Sequence, residues 1–127
     1  MVADVSVIEA LADRALALDE TYDHGAIHVF FISYEMVRQG GPGDPESRAR
    51  AHFARAVELS RGMQAAPYVS LAEGVTVQTQ DRREYQALLT HALAIDPNQQ
   101  PQWRLANTVM QRRARWLLAQ TDRHFTE

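Results

Sequence analysis

The chain has 127 residues, a formal net charge of −3, 46% hydrophobic residues and no cysteine. That length is one domain with enough chain for a real core. It excludes disulfides, thiolate zinc sites and cysteine nucleophiles, and its mild acidity argues against a dedicated nucleic-acid domain. No apolar run reaches the roughly 18 residues that a membrane-spanning helix needs.

Apolar residues recur at three and four along the whole chain, with no sustained alternation, so the chain reads as all-α. The first helix is predicted over 6–19. Acids stand in "MVADVSVIEALADRALALDE" where an export signal needs lysine or arginine, which argues against a signal there and for the cytoplasm. The second helix, 25–38, reads "GAIHVFFISYEMVR" and is apolar almost all round, the pattern of a sandwiched helix. Its polar stripe is His24, His28 and Glu35. His24 and His28 have the i, i+4 spacing of a metal pair. Glu35 lies two turns beyond His28, roughly 10 Å along the axis, and no third ligand is in reach, so no metal or other cofactor is expected. The stripe reads either as an exposed edge or as a His28–Glu35 contact through an intermediary.

Asp44 as N-cap and Pro45 in the first turn open a third helix at 45–60, and Gly62 is placed to end it. The fourth helix is predicted over 66–78, and the helix-weakening Gly74 within it calls for the close approach of another helix or a ligand. Asp81 with Glu84 three residues on caps a fifth helix at 82–95, and Pro101 opens a sixth at 101–124.

That closing segment carries five arginines and two tryptophans over 103–125. At about 100° per residue, Leu105, Ala106, Val109, Met110, Trp116 and Leu117 share one broad face, with Arg104 and Arg115 opposite. Arg113 falls in the middle of the apolar face. A buried guanidinium needs an anionic or carbonyl partner. Glu73 is the first candidate, ahead of Glu35 and Asp81. The alternatives are an anion-binding arginine in a pocket and an Arg113 side chain that snorkels to water.

Three segments, "ALALDETYDHGAIHVFF", "AVELSRGMQAAPYVSL" and "ALAIDPNQQPQWRLAN", resemble one another, with leading alanines at 15, 56 and 92. Each is a helix end, a short polar loop and a helix start carrying an aromatic. This is the pattern of stacked antiparallel helical hairpins of the tetratricopeptide type, whose repeat is about 34 residues. The reading is therefore a single helical-repeat domain over 1–127, of about six helices, opening on the second helix of a repeat. The first helices of such hairpins line a concave side. They place Phe30, Phe31, Tyr34, Tyr68, Ser70, Glu73 and Trp103 as a groove for an apolar ligand or peptide. No serine sits in a G-x-S-x-G elbow and "GGPG" lacks the lysine of a phosphate loop, so no catalytic residue is assigned.

The stretches "GAIHVFFISYE", "RARAHFARAVELSRGMQAAPYVSLAE", "DRREYQALLTHALAIDP" and "WRLANTVMQRRARWLL" resemble the T component associated with tripartite ATP-independent periplasmic (TRAP) transporters. The resemblance covers roughly residues 10–125 and places the chain in the C-terminal portion of longer members. Its signature positions here are Gly25, His28, Tyr34, Glu35, Pro67, Tyr68, Ser70, Glu73, Asp81, Arg82, Arg112, Arg113 and Trp116. It implies a tetratricopeptide-like, non-enzymatic, periplasmic protein that associates with the transporter's solute-binding subunit. It further implies a trimer and a cavity for a hydrophobic small molecule. The other reading is a general helical-repeat interaction scaffold, cytoplasmic and unrelated to transport.

Overall fold

A computed structural model describes the backbone of residues 2–38 and 40–126, and the side chains of 7–21, 23–38 and 40–126. Among the described residues all regular structure is helical: α1 (Val2–Leu18), α2 (Ala26–Tyr34), α3 (Pro45–Ser60), α4 (Ala66–Leu71), α5 (Val77–Thr79), α6 (Arg82–Ala94), α7 (Arg104–Ala119) and α8 (Thr121–His124). A π turn, Ala72–Thr76, fuses α4 and α5 into one rod, and 3₁₀ turns at Tyr22–Gly25 and Pro101–Trp103 lead into α2 and α7. Counting that rod once gives seven helices, close to the six read from the sequence.

The helix starts follow from local chemistry. Asp44 accepts the Ser47 N–H at 2.9 Å and Asp81 accepts the Glu84 N–H at 3.0 Å, so each satisfies an orphan first-turn donor. The Glu84 side chain does not close a capping box; it pairs with Arg50 of α3 at 2.7 Å. Before α2, Asp23, His24 and Gly25 all take positive φ, of 50, 54 and 94°. Gly25 answers the turn's geometry and its crowding, because a Cβ there would stand 3.1 Å from the Leu59 side chain.

Two predicted helices end early. The second stops at Tyr34, where the bonds tighten to i−3: Met36 N–H donates to Ser33 O and Val37 N–H to Tyr34 O. The sixth breaks at Gln120, and the short α8 then turns Phe125 back against Tyr85, ring centroids 4.9 Å apart. Phe125 is buried there.

α2 packs on α3, α4 on α2, α3, α6 and α7, and α6 on α7, while α1 lies on α2. The helices α2, α4 and α7 therefore form a row, with α3 and α6 behind it. Among the described residues the core forms two clusters. One joins Tyr68, Val69, Ala72, Tyr85, Leu89, Ala114 and Leu117; the other joins Ile32, Ala49, Leu71 and Val75; Phe53 and Leu88 pack against both. At Gly74 α2 comes close to the α4 rod: a Cβ there would lie 2.8 Å from Ser33 Cβ and 3.1 Å from Ser33 Cα. The neighbour that the glycine admits is a helix.

Candidate functional site

A cleft of about 340 Å³ opens across the row α2–α4–α7. Ala26 and Val29 of α2, Ala66 of α4, and Trp103, Ala106 and Met110 at the start of α7 give its apolar lining, with Asp23, Gln64, Gln102 and Asn107 at its polar margin. Helical spacing carries the same face further along each rod. Ser70 and Glu73 follow Ala66 at four and seven, and Arg113 follows Ala106 at seven, so the Glu73–Arg113 pair stands beyond the cleft.

Of the seven groove residues read from the sequence, Trp103 lines this cleft. Its ring meets His24 edge to face at 4.7 Å. Phe31 and Tyr68 are core residues and do not form a groove wall. Phe31 stacks on His52 with ring centroids 5.0 Å apart, and Tyr68 sits between Phe53 at 5.4 Å and His91 at 4.2 Å. Both rings fill the gap between a front helix and the helix behind it, where a large apolar ring is most stabilising. Phe30 and Tyr34 stack on each other at 5.2 Å nearer the surface. Ser70 and Glu73 are half-buried.

Arg113 does pair with Glu73, the partner ranked first, through Nε and Nη2. The pair is not buried, however: its side chains are 46% and 40% exposed. The hydrogen bonds that Arg113 donates to the Glu73 carboxylate hold its guanidinium above the ordinary range. Arg113 also covers the Trp116 ring at 5.0 Å. The correction comes from α7 itself. Its buried residues are Asn107, Gln111, Ala114 and Leu117. The inner face is thus turned by about 100° from the apolar arc. Asn107, 2% exposed, accepts the Ala65 N–H at 2.9 Å and donates to Met63 O at 3.0 Å. Gln111 donates to Ala92 O at 3.0 Å and Ile95 O at 2.7 Å, carbonyls at the end of α6. Two amides are buried because they satisfy backbone groups that would otherwise be stranded.

The consequence is an apolar stripe on the outside of α7: Leu105 is 77% exposed, Val109 54% and Trp116 51%. Arg112 shares that line and lies with Val109, Arg113 and Trp116 around a shallow hollow. Arg104, Arg112 and Arg115 are exposed beside it.

A second assembly ties the first helices together. Glu35, 3% exposed, accepts from Arg48 Nε at 2.8 Å and Arg38 Nη1 at 3.3 Å, and faces His52 Nε2 at 3.4 Å. His52 Nδ1 lies 2.8 Å from His28 Nδ1, and His28 Nε2 lies 2.8 Å from Glu20 Oε2. Glu20 also receives Arg55 at 2.7 Å. Arg38 reaches back to Glu9 and Asp13 of α1. His28 and Glu35 are therefore a buried pair joined through His52, a residue of α3, while His24 stays exposed and takes no part. Hydrogen bonds from Arg55 and His28 hold the Glu20 carboxyl down at about 2. Burial, then repulsion from His28, pushes the His52 imidazole below its ordinary range. Among the described residues no group of three or more His, Asp and Glu side chains could hold a metal.

Residues 1–125 match the family described as TRAP transporter T-component. An uncharacterized protein of Treponema pallidum (strain Nichols) is 24% identical over 117 residues, which is 92% of this chain and 36% of the relative. The chain thus spans about a third of that relative's length. No solved structure matches.

Proposed function

We propose that this chain, which belongs to the TRAP transporter T-component family, binds the solute-binding subunit of such a transporter in the periplasm, without catalysis. The outer face of α7 docks that subunit, and the cleft beside it takes an apolar ligand. The observation that carries this reading is the surface of α7: an apolar stripe of Leu105, Val109 and Trp116, flanked by arginines, runs alongside a cleft walled by Trp103, Ala106 and Met110. Exposed tryptophan and arginine around an apolar centre are the usual anchors of protein interfaces. A cleft that is mostly apolar with a few polar groups at its margin suits an apolar guest held in one orientation. The order of helix packing, with α2, α4 and α7 side by side and α3 and α6 behind, supports the tetratricopeptide-like description of the scaffold.

Calorimetric titration against the solute-binding subunit of a TRAP transporter from the same genome tests this. Binding in the micromolar range, about −8 kcal/mol, supports the accessory role. Leu105→Glu then weakens it while leaving the circular dichroism spectrum unchanged. An absence of heat at tens of micromolar from a folded chain would favour a general scaffold for peptides or helices.

A further inference from the structure

We propose that His28 and His52 form a proton-binding site that holds one shared proton between Glu20 and Glu35, clasping the turn before α2 to α3. The inference goes beyond the transporter reading and stands or falls without it. It rests on counting hydrogens. His28 Nε2 faces a carboxylate oxygen at 2.8 Å, so it carries a hydrogen. His52 Nε2 faces the buried carboxylate of Glu35 at 3.4 Å, so it carries one too. Between the rings, two Nδ1 atoms lie 2.8 Å apart, a contact that closes with one hydrogen and with neither zero nor two. That makes three N–H groups on two imidazoles whose neutral forms have two, so the pair carries a single positive charge.

The surroundings favour that one charge. Facing the pair and its two carboxylates are Glu9 and Asp13 from α1, Arg38 beyond α2, and Arg48, Arg55 and Glu58 from α3. Five acids (Glu9, Asp13, Glu20, Glu35, Glu58) meet three arginines, so the network is short of positive charge without the proton. The α4 side of this packing, Leu71 and Val75 against Ile32 and Ala49, is apolar. Phe31 stacks on His52 and shuts off one ring face. A second proton would set two N–H groups against each other at Nδ1, in a buried place where like charges repel. Removing one of the three hydrogens would leave either two Nδ1 lone pairs facing each other or an Nε2 lone pair facing a carboxylate. Both losses loosen the connection that holds Glu20, and Asp23 of the cleft margin is three residues further along that connection. Protonation of the pair is thereby linked to one wall of the cleft.

Imidazole ¹H–¹⁵N correlation spectra of the labelled full chain, recorded from about pH 4.5 to 9, test this against the free histidine value of about 6.5. The expected result is that His28 and His52 titrate together in two steps, one below and one above that value and at least about two pH units apart. The Asp23 and Ala26 amides follow the pair's steps. In Glu20→Gln, a change on a partly exposed turn, the upper step moves down by about one unit or more. Independent single titrations of His28 and His52 near the free value would overturn the shared proton. So would an upper step that ignores Glu20→Gln.

Discussion

Gly74→Ala is the perturbation whose sign the packing decides against local propensity. In a helix interior the change is worth about 1 kcal/mol of stabilisation. Here the new methyl would stand 2.8 Å from Ser33 Cβ and 3.1 Å from Ser33 Cα. The second contact is with backbone, so a rotamer change cannot relieve it. Ser33 follows Phe31 and Ile32, both fully buried, so α2 is not free to slide. Overpacking of this kind costs about 1–3 kcal/mol, which at least cancels the propensity gain, and the net loss is up to about 2 kcal/mol. In urea, with a slope of about 2 kcal/mol per molar, the midpoint falls by up to about 1 M. Ser33→Gly removes the closer contact, so the double variant recovers part of the loss and the cycle shows a coupling of about 0.5–1 kcal/mol. A raised midpoint for Gly74→Ala, or strict additivity with Ser33→Gly, would falsify the close crossing of α2 and the α4 rod.

Other outcomes follow from the same geometry. Asn107→Leu strands the buried Ala65 N–H and the Met63 carbonyl, and costs about 1–3 kcal/mol by denaturant unfolding despite the gain in apolar surface. Arg113→Leu removes a half-exposed ion pair, so the chain stays folded and loses less than about 1 kcal/mol. Acid acts on the clasp in two windows. His52 has a depressed folded value, so its contribution is present above about 6.5 and is lost as pH falls through the lower folded value. Glu20, lowered from 4.5 to about 2, contributes above the upper figure and loses that contribution as pH falls toward the lower one. Thermal melts over that range then show Glu20→Gln to be less acid-sensitive than the parent.

The helix starts at Pro45 and Arg82 were legible because Asp44 and Asp81 act through bonds within one turn of chain, and sequence displays such bonds directly. Gly74 was legible as an oddity, and its explanation lay on another helix. The face of α7 was not legible. A hydrophobicity wheel assigns amides to water, whereas Asn107 and Gln111 are turned inward by backbone groups at residues 63, 65, 92 and 95. No count of apolar residues contains that information. The π turn at Ala72–Thr76 carries no propensity signal beyond Gly74. Phe31 and Tyr68 belong to the core because both are flanked by helices on two sides, which the aromatic count alone does not distinguish from a groove. His28 and Glu35 stood out as a polar stripe on an apolar helix, and an intermediary between them was one reading. That the intermediary is His52 depends on the pairing of α2 with α3, a tertiary fact.

Hydrogen exchange by mass spectrometry, on the chain alone and with the solute-binding subunit of a TRAP transporter from the same genome, tests the accessory role most directly. Slowed exchange across α7 and the cleft-lining starts of α2 and α4, with α6 unchanged, is the predicted result. Exchange that is identical with and without the subunit, at concentrations where both are folded, would contradict it.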